Sequence, residues 1–170
     1  MGIETLPFYV SNEPFASPEV PASWKGEQVA KRWLMHREAV IALAEKLPEH
    51  TAHWRPWANG FTTLQLLHHI AWATDFFLSA IEGRERHNVE MPSSVQEAVR
   101  MLADLKERQA ASIAGYTEDI LGKVVEISVL GVKEPAVDIL HRMIYHEAHH
   151  KGQLWVYARM MGIEPPFYVA

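Results

Sequence analysis

The stretch Tyr145-His146-Glu147-Ala148-His149-His150-Lys151-Gly152-Gln153-Leu154 decides how the rest of the chain is read. It lies in a helix-compatible run from about Pro135 to Met161. Residues four apart return to nearly the same side of a helix, so His146 and His150 share a face. Two neutral imidazoles one turn apart can hold a divalent ion such as zinc or nickel. The same letters also spell H-E-x-x-H, the zinc-peptidase signature.

Working back from that run, three more helices are expected. Val29, Trp33, His36, Val40, Leu43 and Leu47 recur at spacings of three and four after Ser23, a reasonable N-cap, and Pro48 ends the pattern. His36 on that stripe reads more simply as a hydrogen-bonded core residue than as a ligand. A second helix starts at Thr62 or Thr63 and runs to about Glu82, with Gly83 as its stop. It is apolar on most sides and should be the most buried of the set. A third follows Ser94, where Ser94-Val95-Gln96-Glu97 fits a capping box, and Val95, Val99, Leu102, Leu105, Gln109, Ile113 and Tyr116 form its stripe. Between Gly122 and Gly131 the β-branched run Val124, Val125, Ile127 and Val129 suggests one extended segment. Pro135 suits the first turn of the last helix, and Gly162 suits its end. The prolines at 7, 14, 18 and 21 rule out a helix there and leave residues 1–22 as an extended arm. The architecture expected is all-α, a four-helix bundle in a single domain spanning residues 1–170.

Bulk composition narrows the function. A chain of 170 residues with 48% hydrophobic and 22% charged residues can bury a sizeable core. The net charge of −5 argues against a nucleic-acid partner. With no cysteine there is neither a disulfide framework nor a thiolate metal site, so any metal must use His, Asp or Glu. Residues 1–10 lack the basic start and long apolar run of an export signal, and no stretch approaches the ~20 apolar residues of a membrane span, so the cytoplasm is the expected location and no membrane partner is expected.

A catalytic zinc or nickel site normally takes three protein ligands and keeps a coordination position for water or substrate. The third ligand should come from a helix facing the His146–His150 pair, and His68-His69 on the buried second helix is the obvious donor. His69 is preferred, because Leu66, Ala73 and Phe76 share its face and small Ala73 leaves room; His68 is the fallback. The peptidase reading needs Glu147 as general base and a downstream ligand. Position 153 is Gln, only Glu164 remains downstream, and Glu147 lies about 100° round the helix from His146, all of which disfavour it.

Taken together, Leu66-Leu67-His68-His69-Ile70 and His146-x-x-x-His150-Lys151-Gly152-Gln153 resemble the DinB family, including its YfiT-like members. Leu47-Pro48 followed by Trp54-Arg55-Pro56, and Met160-Met161-Gly162-Ile163-x-Pro165-Pro166, support the resemblance, which runs from about residue 25 to 169. It implies a bundle in up-down-down-up order, often a homodimer. It also implies a divalent metal, zinc or nickel, on His69, His146 and His150. Some relatives look like thiol transferases, so the resemblance implies a metal-dependent S-transferase that joins a low-molecular-weight thiol co-substrate to a small electrophile, or a related hydrolase acting on a small molecule.

On that reading Trp72, Phe76, Trp54 and Trp57 are candidates for an apolar pocket wall, though the two tryptophans at 54 and 57 read slightly better as a cap on the bundle end. Lys151 or Arg142 could receive a carboxylate on the thiol, with surface solvation the plainer reading of Arg142. Gln153 could hydrogen-bond a ligand, with helix-face packing the alternative. A competing class is a non-catalytic, stress-linked dimerisation or binding module whose metal mainly ties two helices together.

Overall fold

A computed structural model describes residues 25–168. The expected arm at 1–22 and the cap at Ser23 lie outside the described residues.

Helix α1 runs Gly26–Ala44, α2 Thr63–Glu82, α3 Val95–Ala114 and α5 Ala136–Met160, with a short helix α4 at Glu118–Gly122. The local reasons are visible at the ends. Thr62 caps α2 with a full capping box: its hydroxyl accepts from the Gln65 N–H, and the Gln65 side chain accepts from the Thr62 N–H. Gly83 ends that helix at φ 65°, a left-handed conformation that glycine adopts without a Cβ clash. At α3 the Ser94 hydroxyl accepts from the Glu97 N–H, but the Glu97 carboxylate turns back to Ser93 rather than to Ser94. Gly26 begins α1 against the end of α3, where a Cβ would lie only 2.3 Å from the Ile113 carbonyl oxygen.

That contact sets α1 antiparallel to α3. Two buried clusters give the remaining directions. One joins Val29 and Trp33 of α1, Phe77 and Ile81 of α2, Ile113 of α3, and Val137 and Leu140 of α5. The other joins Leu43 of α1, Leu64 and Leu67 of α2, Val95 and Leu102 of α3, and Leu154 and Ala158 of α5. The early residues of α1 and α5 thus share one end with the late residues of α2 and α3, which is an up-down-down-up four-helix bundle. As expected, α2 is the most thoroughly buried helix.

Two sequence expectations change. The segment after Gly122 is not one extended stretch but a two-stranded antiparallel hairpin, β1 (Val124–Ile127) on β2 (Val132–Pro135), with Val124 opposite Pro135 and Ile127 opposite Val132. Gly131, at φ 64°, lets the chain reverse after the turn at Ser128–Leu130. Polar Lys133 and Glu134 disguise the second strand, and Pro135 ends it and serves as the N-cap of α5. On α1 the stripe is buried at Val29, Trp33, Val40, Leu43 and Leu47, but its centre is Arg37 and not His36. His36 is half-buried and hydrogen-bonds the Tyr168 hydroxyl through Nδ1 at 3.0 Å. No helix among the described residues is long and apolar enough to cross a membrane.

Candidate metal centre

Helices α2 and α5 pack antiparallel, and their contact delivers three imidazoles to one point. His69 comes from α2; His146 and His150 come from successive turns of α5. Their Nε2 atoms form a nearly equilateral triangle with edges of 3.2, 3.1 and 3.1 Å. Metal–nitrogen bonds of about 2.0–2.1 Å place tetrahedral ligand nitrogens roughly 3.3 Å apart and octahedral neighbours roughly 3.0 Å apart. The observed edges fall between those values, so one ion can bond all three from the same side.

The protonation pattern fits. His150 donates its Nδ1–H to the Gln153 side-chain oxygen at 2.7 Å, which leaves Nε2 as a lone pair aimed at the other two rings. Burial lowers the pKa of His69 to about 4, helped by His150 and His68. His146 is likewise pushed down to about 4, by burial and then by His150, His69 and His149. Burial also lowers His150, against the opposing pull of its bond to Gln153. All three are therefore neutral at physiological pH, the form a metal requires. A cation is the partner that would let all three Nε2 atoms act as acceptors at once. Among the described residues the group consists of these three histidines, with no fourth side chain joining it.

The remaining histidines nearby do not join the group. His68 donates Nε2–H to the Val89 carbonyl at 2.7 Å, which separates it from its neighbour His69. His149 is exposed. Glu147, the would-be peptidase base, turns into the bundle centre. It accepts from Arg37 Nε at 2.6 Å, Arg37 Nη2 at 3.1 Å and the Trp33 indole N–H at 2.6 Å. Arg37 in turn donates to Thr74 and Gln109, so this fully buried pair ties α1, α2, α3 and α5 together. A carboxylate saturated in this way cannot serve a metal-bound water, and the H-E-x-x-H resemblance is coincidental.

The other sequence candidates separate into two groups. Trp72 and Phe76 form a row of rings running out from His69. His69 stacks on Trp72 at 6.1 Å between centroids, and Trp72 on Phe76 at 5.5 Å. Gln153 touches His150 as described. Lys151 does not face the histidines. Its ammonium lies 3.0 Å from the Tyr168 ring centroid and near Trp155, under the C-terminal segment, where burial pulls its pKa down to about 8 against the pull of Glu147. Arg142 forms a two-pronged pair with Glu134 at 2.7 and 2.5 Å. Trp54 packs edge-on against Tyr157 and caps the bundle end, while Trp57 is exposed. Sequence reasoning missed Phe61, whose ring lies 5.2 Å from His69, and Phe77, 6.0 Å from His146. It also missed Arg86, which lies over Trp72. An arginine within the α1 stripe was the available signal for the buried pair.

Fold and site together define a helical bundle with a three-histidine group fit for a divalent ion. Residues 32–154, more than half of the chain, match the model of the DinB superfamily, and the chain belongs to that family. The protein YjoA of Bacillus subtilis is 29% identical over 148 residues, covering 85% of this chain and 96% of that one. Its crystal structure superposes with a TM-score of 0.70 at 26% identity, over 83% of this chain and 97% of that one. A DinB-like protein from Bacillus cereus superposes at 0.74, with 18% identity, over 84% and 97%. YfiT from Bacillus subtilis, described as a probable metal-dependent hydrolase with an unusual four-helix bundle topology, superposes at 0.63 with 16% identity, over 86% and 94%.

Proposed function

We propose that this protein is a metal-dependent enzyme that joins a small thiol to an electrophilic small molecule. The observation that carries the proposal is the triangle of Nε2 atoms on His69, His146 and His150, which offers three donors and, among the described residues, no fourth protein ligand. A divalent ion held there, zinc or nickel by its ligand set, lowers the pKa of a bound thiol or water. The chain's own contributions are to hold the imidazoles neutral by burial, to fix His150 through Gln153, and to line the approach with Phe61, Trp72 and Phe76. The description of YfiT favours hydrolysis as the second reading, with water in place of the thiol.

A purely structural metal is disfavoured by what surrounds the site. Two hydrophobic clusters and the Arg37–Glu147 pair already join α2 to α5. The proposal includes a homodimer, supported by the exposed stripe Tyr145, His149, Val156 and Met160 along α5, beside Gly152, where a Cβ would meet nothing within 4 Å. Sedimentation of the Val156→Glu variant should show monomer where the parent shows dimer.

Elemental analysis of the purified protein beside a His69→Ala, His150→Ala double variant tests the site. The parent should carry close to one ion per chain and the variant almost none; equal metal in both would place the ion elsewhere. Screening small thiols against electrophilic aromatics should then give a metal-dependent rate. A rate with water alone would select the hydrolase, and no rate across several thiols would select the binding module.

A further inference from the structure

The cations flanking the three histidines differ in one respect. Lys151 lies against Tyr168, Arg142 pairs with Glu134, and Arg84 pairs with Asp75 and Glu82. Arg86 has no such partner among the described carboxylates. Its guanidinium carbon lies 5.2 Å from the Trp72 ring centroid and 5.8 Å from that of Phe76. These are the same two rings that stack outward from His69. An arginine held by its face against aromatic rings is oriented without spending its N–H donors, which remain in the guanidinium plane. A planar fork of that kind matches a carboxylate with two parallel hydrogen bonds. Beside it is a surface depression of about 580 Å³, bounded by Phe76, Ser79, Ala80, Arg84, Glu85 and Arg86, with room for a substituent.

We infer that Arg86 is the specificity residue of the centre, receiving the carboxylate of a thiol whose sulfur is directed at His69, His146 and His150. The inference rests on the thiol-transfer reading above and adds a substrate class to it: small thiols with a carboxylate set apart from the sulfur by an apolar spacer that lies along Trp72 and Phe76. It moves the anion-receiving role from Lys151 and Arg142, where the sequence suggested it, to a loop residue that the aromatic wall preorganises.

The test loads the protein with cobalt(II) and follows its visible absorption during titration with mercaptopropionate, mercaptohexanoate and mercaptooctanoate, each against the mercapto-alcohol of the same length. The expected result is tighter binding of the carboxylate at one or more lengths, by about tenfold or more, as one charge-assisted hydrogen-bond pair supplies. In Arg86→Met that preference falls to near unity while the alcohols bind as before, and Arg86→Lys retains part of it, as a point charge without the fork. Carboxylates and alcohols binding alike at every length, or Arg86→Met keeping the preference, overturns the role of Arg86 and leaves thiol binding standing. If no thiol perturbs the cobalt spectrum, the thiol-transfer reading falls, and this inference with it.

Discussion

Two clusters on the same two turns of α5 make opposite use of adjacent residues. His146 and His150 meet His69 near the surface, with their three Nε2 atoms gathered at a common point. Glu147, between them in sequence, lies 1% exposed at the bundle centre with both oxygens saturated by Arg37 and Trp33. About 100° of helix rotation separates a site that still needs a partner from one that has every partner. The difference shows how a bundle can carry reactive imidazoles without relying on them for its fold: stability is vested in the neighbour that is complete.

The sharpest way to break this contrast is to remove one member of the buried pair. Arg37→Ala or Glu147→Ala leaves an uncompensated charge in the core and should cost about 3–5 kcal/mol of folding stability, read from denaturant midpoints. If either variant is nearly as stable as the parent, the pair is not the structural centre described. The histidine double variant should invert the pattern. Metal content is lost, yet the metal-free protein loses only about 1 kcal/mol or less, because no satisfied hydrogen bond to the rest of the fold is removed except that to Gln153.

Gln153 gives a finer test of the first cluster. Its oxygen selects the tautomer of His150 that presents an Nε2 lone pair to His69 and His146. Gln153→Leu should weaken metal affinity by roughly 10–100-fold, the range found when the hydrogen-bond partner of a ligating histidine is removed. Competition with a chromophoric chelator measures it. An unchanged affinity would mean that packing alone holds the ring.

Much of the first cluster was legible in the sequence, and little of the second. The His146–His150 spacing is local, and the burial of α2 follows from its composition, so a triad could be named before any contact was known. Choosing His69 over His68 needed only the face shared with Leu66, Ala73 and Phe76. Arg37 left a signal that could not be decided locally, because it neighbours His36 on a stripe wide enough to admit either, and what decides between them is a carboxylate 110 positions away. The hairpin was half legible: β1 is β-branched, whereas β2 reads Val132-Lys133-Glu134-Pro135 and acquires its state from pairing and from Gly131. The direction of Lys151 depends on the chain after α5 folding back over it, which no periodicity encodes.

Lys151 offers the smallest effect and the closest discrimination between the two clusters. It follows His150 directly, yet its ammonium faces Tyr168 and Trp155. If it belongs with the completed contacts, Lys151→Met should cost about 1 kcal/mol through the lost cation–π contact and leave metal affinity within about twofold. Tyr168→Leu should reproduce the stability loss, and the two together should lose less than the sum, because they remove one shared contact. Should Lys151→Met instead leave stability intact and impair thiol binding to the loaded protein, the residue belongs with the histidines, and the boundary between the two clusters lies one position further along the helix.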